Sequence, residues 1–216
     1  MTTQSPLNTA VSATPSPKDL IAAVKRGDLP DVKVFLEQGV DVNCTDESGY
    51  TPLTMAAACD KTEIIDFLVD KGANLEQWGF AGLTPLMWAA YNRKEESVQR
   101  LLEKGVNPDA RGAYGNTAMI WAMRQGCIEA IPLLISKGAS VEAVSDEGGT
   151  VIDIAIERKR PDVIEMIKEA VEMRQRFEAH MAAVKAEAVR HMTVSQKQQR
   201  LKEHAPKLKL KLKAGP

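Results

Sequence analysis

The sequence predicts an all-α solenoid of stacked helix–turn–helix units, and three registers at one period predict it. The first is Thr84-Pro85-Leu86-Met87-Trp88-Ala89-Ala90, with Thr51-Pro52-Leu53-Thr54-Met55-Ala56-Ala57 standing 33 residues earlier. Thr117-Ala118-Met119-Ile120-Trp121-Ala122-Met123 and Thr150-Val151-Ile152-Asp153-Ile154-Ala155-Ile156 continue the same step. The second register is Gly39, Gly72, Gly105 and Gly138; the third is Gly49, Gly82, Gly115 and Gly148. Self-similarity at a fixed period marks a repeat array, in which no unit buries its apolar face alone and stacking makes the core continuous.

Residues 1–15, rich in Thr, Ser, Pro and Asn, offer almost nothing to bury and read as a disordered arm. Order begins at Ser16-Pro17-Lys18-Asp19, where Ser16 suits an N-cap, Pro17 the first helical position and Asp19 a variant capping box. Leu20, Ala22, Ala23 and Val24 start a first helix; after Gly27-Asp28-Leu29-Pro30, residues Val32, Val34, Phe35 and Leu36 carry a second as far as Gly39. In the repeats that follow, the Thr hydroxyl can cap the helix start and Pro fixes φ in the first turn without wasting a donor. Leu53, Leu86, Met119 and Ile152 share one buried position, and Ala56, Ala89, Ala122 and Ala155 keep a helix face small enough for close approach. The periodic Gly after the second helix can take the left-handed conformation that ends it. About ten residues of turn chemistry then lead to the next Thr.

The pattern Gly-x-Thr-Pro-Leu-x-x-Ala-Ala, with a Gly-stopped second helix and a 33-residue step, resembles the ankyrin repeat over residues 16–172. The five units read as 16–45, 46–78, 79–111, 112–144 and 145–172. Repeats two and three fit most closely. Ala118 and Val151 replace Pro in repeats four and five, and Val171 stands where the last Gly would fall. The resemblance implies an ankyrin-repeat solenoid of paired antiparallel helices, hairpin fingers roughly perpendicular to them, and a concave face that binds a partner protein.

Beyond the repeats, Val163, Ile167, Ala170, Phe177, Met181, Val184 and Ala188 step by three, four or seven. They predict an extended amphipathic helix from Pro161 to about residue 190, with 173–192 as a C-terminal extension whose stripe either folds back to cover the final repeat or binds another helix. Residues 193–216 form a basic tail ending in Lys207-Leu208-Lys209-Leu210-Lys211-Leu212-Lys213. As a strand, this tail puts three leucines on one side and Lys207, Lys209, Lys211 and Lys213 on the other, so strand addition to a partner is the alternative to a solvated tail.

Charge and composition exclude several classes. The chain is 44% apolar, 26% charged and −1 overall, but residues 197–216 are +6 and the remainder −7, an acidic body with a basic tail. The tail has no aromatics for base stacking and too few leucines for firm anchoring, which weighs against nucleic acid and leaves at most a weak membrane contact. Cys44, Cys59 and Cys127 make no CxxC pair and no even set, so free thiols in a reducing cytoplasm fit best. Residues 1–7 lack the basic and apolar regions of a secretory signal, and no run is long and apolar enough to span a membrane.

Enzyme chemistry finds no foothold. The three histidines, His180, His191 and His204, lie outside the repeats, and the first two fall ~16 Å apart along a helix, too far to share a metal. No GxGxxG, P-loop, HExxH or GxSxG is present, and Cys59 is a lone thiol. No cofactor, metal or small-molecule substrate is expected.

Trp88 and Trp121 share a position with Met55 and Ile154, which reads as an apolar packing slot. The fingertips differ from one another. The outer two, Asp46-Glu47-Ser48 and Ser145-Asp146-Glu147, are acidic; the middle two, Gly79-Phe80-Ala81 and Gly112-Ala113-Tyr114, carry aromatics and follow Trp78 and Arg111. Because the resemblance places tips and first-helix ends against the partner, it adds Leu83, Tyr91, Asn92, Asn116, Arg124 and Gln125 to Trp78, Phe80, Arg111 and Tyr114. Aromatic and Arg side chains bury large area while keeping a polar handle, and Glu47, Asp146 and Glu147 would suit a partner with basic edges. The expected function is a non-catalytic adaptor or inhibitor of another protein. The competing class is an assembly component held by its C-terminal helix and Lys-Leu tail.

Overall fold

A computed structural model of the chain describes residues 15–190, with side chains through residue 187; the arm at 1–14 and the basic tail fall outside the described residues. Residues up to Ala170 and residues from Val171 onward form two compact units, treated separately below.

Among the described residues there are ten α-helices and no strand. They are α1 (Pro17–Arg26), α2 (Leu29–Glu37), α3 (Pro52–Ala58), α4 (Thr62–Asp70), α5 (Pro85–Tyr91), α6 (Glu95–Glu103), α7 (Ala118–Gln125), α8 (Ala130–Ser136), α9 (Val151–Glu157) and α10 (Pro161–Arg190). Short odd-numbered helices form an inner row, α1, α3, α5, α7 and α9 packing in that order, while α4, α6 and α8 pack beside one another behind them.

Local chemistry starts each inner helix. Thr51, Thr84, Thr117 and Thr150 are extended N-caps whose side-chain oxygens accept the backbone N–H three residues on. Ser16 does the same for Asp19, whose carboxylate returns the bond to Ser16. Gly39, Gly72, Gly105 and Gly138 lie at φ between 86° and 99°, where a side chain would be strained, and stop the second helices. The chain turns between each helix pair through another left-handed residue, and here the side chain varies: Gly27, Asp60, Arg93, Gly126 and Lys159. Helix α8 starts late because Pro132 lacks an N–H and fits only within a first turn.

The inner helices meet through small residues. Ala56, Ala89, Ala122 and Ala155 are fully buried, as are Ile65, Leu68, Val98, Leu101, Ile131 and Leu134 on the outer helices. Leu53, Leu86 and Met119 are buried as expected. Ile152 is only half-buried, because it lies in the last repeat, with no further inner helix among the described residues to cover it. The loops are stapled in register. Asn43 Oδ1 accepts the Asn74 N–H at 2.7 Å, Glu76 Oε1 that of Asn107 at 2.7 Å, and Asp109 Oδ1 that of Ser140 at 2.8 Å. Each oxygen satisfies a backbone donor one repeat further on, so these bonds set the stacking register.

Helix α10 runs without a break to Arg190. Val163, Ile167 and Ala170 are buried, whereas Met173, Phe177, Met181 and Val184 are exposed. The apolar stripe is thus buried within the first unit and exposed within the second.

Candidate protein-binding site

The four fingers adopt one hairpin pattern closed in two ways. In the outer pair a side chain closes the turn: Asp46 Oδ1 accepts the Ser48 and Tyr50 N–H groups at 3.0 and 2.9 Å, and Ser145 Oγ accepts the Gly149 N–H. In the middle pair the equivalent residues are Gly79 and Gly112. Space requires them: a Cβ on Gly79 would lie 2.8 Å from Thr54, and one on Gly112 2.5 Å from the Met87 sulfur. These two fingers press onto the inner helix of the preceding repeat. Their tips are then shaped by backbone, with consecutive left-handed residues at Ala81-Gly82 and Tyr114-Gly115, as in a type I′ turn.

Behind the tips runs an aromatic ladder. Tyr50 stacks on Phe80 with centroids 5.3 Å apart and meets Trp88 at 5.3 Å. Phe80 lies 6.2 Å from Trp88, Trp88 5.6 Å from Tyr91, and Tyr91 5.3 Å from Trp121. One aromatic chain, stacked or tilted from Tyr50 to Trp88 and edge-to-face from Trp88 to Trp121, thus joins three repeats, each contact adding to simple burial. Trp88 is buried, in keeping with a packing slot, but Trp121 is only half-buried, so the slot opens toward the surface at the fourth repeat. Burial raises the Tyr50 hydroxyl pKa, and the nearby Asp46 charge adds to the rise, so Tyr50 stays a neutral donor.

Most of the expected contact residues reach the surface together. Trp78 is 58% exposed and Tyr114 67%; Phe80, Tyr91, Arg111 and Gln125 are exposed, and Asn92 is half-buried with its amide donating to the Trp88 carbonyl. Two do not. Leu83 is 4% exposed and Asn116 1%, because they occupy the return limb of the finger, at the position of Tyr50, and face inward. Tyr50, at that same position, is half-buried against the ladder, and Trp121 is half-buried at its far end.

The arginines are engaged. Arg111 donates to the Val144 carbonyl at 2.8 Å and pairs with Asp146 at 3.4 Å, while Arg124 is ion-paired with Glu147. The Asp146 N–H also donates to the Tyr114 carbonyl. Asp146 and Glu147 are therefore neutralised within the chain, and only the first finger presents uncompensated acid. A partner with basic edges gains little at the fourth finger.

No metal-ligating cluster of His, Cys, Asp or Glu occurs among the described residues, and no helix there is long and apolar enough to cross a membrane. Burial pushes Cys127 and Cys44 up to about 11, Asp41 contributing at Cys44, which keeps both as thiols rather than nucleophilic thiolates.

Known proteins share this pattern. A family profile for three ankyrin repeats matches residues 20–112, and a profile for many copies matches residues 119–167. The myotrophin of Xenopus tropicalis is 46% identical over 57 residues, 26% of this chain and 48% of its own length. The putative ankyrin repeat protein YahD of Escherichia coli (strain K12) is 34% identical over 61 residues, 28% of this chain and 30% of its own. The 2-5A-dependent ribonuclease of Mus musculus is 41% identical over 56 residues, 26% of this chain but only 8% of that enzyme. The chain thus spans about half of the myotrophin and less of the other two. With both profiles matching and Thr-capped helix pairs repeating every 33 residues, the chain belongs to the ankyrin repeat family.

Proposed function

We propose that this chain is a non-catalytic adaptor or inhibitor that binds one partner protein across the second, third and fourth fingers and the inner helix ends beside them. Ankyrin repeats generally mediate protein–protein contact, and the match of both repeat profiles to this chain supports that reading. The carrying observation is the aromatic surface: Trp78, Phe80, Tyr91 and Tyr114 stand exposed over a rigid ladder that already holds Phe80 and Tyr91 in place. Exposed aromatics fixed before binding lose little entropy on docking. Tyr114 strengthens the case, since the turn that closes its finger leaves this large side chain 67% exposed at the tip. Free thiols at Cys44, Cys59 and Cys127 suit action in the cytoplasm.

Replacing Trp78, Phe80 and Tyr114 together by Ala tests this, with the partner first recovered on the full-length chain. Affinity should fall by about 3–5 kcal/mol while the far-ultraviolet helical signal is kept. Loss of the helical signal instead would assign those side chains to folding and remove the site.

A further inference from the structure

Helix α10 carries an exposed apolar face in the unit beyond Ala170. Val163, Ile167, Ala170, Phe177, Met181 and Val184 fall on one heptad seam, interrupted by Arg174. The first three are buried, but Phe177 is 65% exposed, and Met181, Val184 and the neighbouring Met173 are exposed too. The helix bearing them is well supported. Arg176 pairs with Glu172 and Arg174 with Glu178 at i,i+4 spacing, and Ala179, Ala182, Ala183 and Ala186 are strong helix formers. A stable helix with an open apolar seam is built to pair.

We propose that the occupant of this seam is the same helix of a second copy, running antiparallel. Charge decides the partner and the direction. Setting Met181 of one copy beside Val184 of the other, and the reverse by two-fold symmetry, makes knobs-into-holes layers at the centre of the exposed stretch. In that register Glu178 falls opposite Lys185 of the second copy and His180 opposite Glu187, each pair occurring twice. A parallel pair would set Glu178 beside Met173 and Lys185 beside His180, with no opposite charges matched. A helix lying on an anionic membrane would need a Lys/Arg-rich polar face, yet residues 171–187 hold three acids and three Lys/Arg. On the function proposed above, self-pairing brings two finger surfaces into one assembly, with a gain in avidity toward a partner that presents two sites.

Sedimentation equilibrium of the full-length chain, from low to high micromolar concentration, is the test. A reversible monomer–dimer equilibrium is expected. Phe177→Glu should abolish it, and as an exposed position it should leave the helical signal intact. Glu178→Lys and Lys185→Glu should each weaken dimerisation by about tenfold or more, because each brings like charges together. An equimolar mixture of those two variants should recover the native affinity, since antiparallel pairing of one with the other restores both contacts. A chain monomeric at every concentration, a dimer indifferent to Phe177→Glu, or a mixture no tighter than its components would each overturn the proposal.

Discussion

The middle and outer fingers occupy equivalent places in the repeat and reach the same hairpin by opposite means. Asp46 and Ser145 close their turns with a side-chain oxygen, which uses the finger's chemistry for its own folding and leaves tips without aromatics, free acid at the first and ion-paired acid at the fourth. Gly79 and Gly112 give up that bond for close packing on Thr54 and Met87, and the tip residues they release are aromatic. A turn held by backbone and packing leaves its tip side chains unengaged in closing it, and on the function proposed above it is these that serve as anchors.

The comparison can be broken by substitutions on each side. Trp88→Ala, which removes the rung on which Tyr50, Phe80 and Tyr91 all lean, should have the largest effect, about 3–5 kcal/mol of stability in urea unfolding. A loss below about 1 kcal/mol would mean that the ladder is surface decoration. Gly112→Ala drives a methyl into Met87 and the Gly82 carbonyl and should cost about 1–3 kcal/mol. Asp46→Ala removes two turn bonds that water can partly replace, so about 1 kcal/mol is expected. If Asp46→Ala proves costlier than Gly112→Ala, the two kinds of finger do not differ as argued.

Acid sharpens the contrast along the array. Asp19 and Asp153 are held below the usual carboxylate range by hydrogen bonds, first from the Ser16 and Thr150 hydroxyls and then from their backbone N–H groups. Their pKa values are depressed by folding, so the stability they contribute is fully present above the unfolded value near ~4 and is lost as pH falls through the lower folded value. The box at α3 is neutral, Thr51 with Thr54. Hydrogen exchange below pH 4 should show α1 and α9 losing protection before α3; simultaneous loss would contradict the cap assignment.

Much of this was legible in the residues. Repeat number, helix starts at Ser16 and the four Thr caps, the glycine stops, and the unbroken run of α10 all follow from local rules that act within a turn of helix. The site was legible in part. Trp78, Phe80 and Tyr114 stood out because the equivalent fingers lack aromatics, and the same comparison applied one residue before each Thr sets Tyr50 against Leu83, Asn116 and Gly149. That row is inward-facing, which its mixture of residue types conceals.

By itself, then, the sequence determined the period, the helix pairs and the residues able to cap and stop them, since each is a bond or a dihedral preference within a few positions. The tertiary structure alone decided which side chains meet. Tyr50 reaches Trp88 across 38 positions and Arg111 reaches Asp146 across 35. Whether such residues touch depends on how one repeat seats on the next, through Gly112 against Met87 and Asn43 against Asn74, and no single repeat carries that information. The heptad likewise runs on past Ala170, but its residues are buried only in the first unit, since burial requires a packed neighbour and periodicity does not supply one.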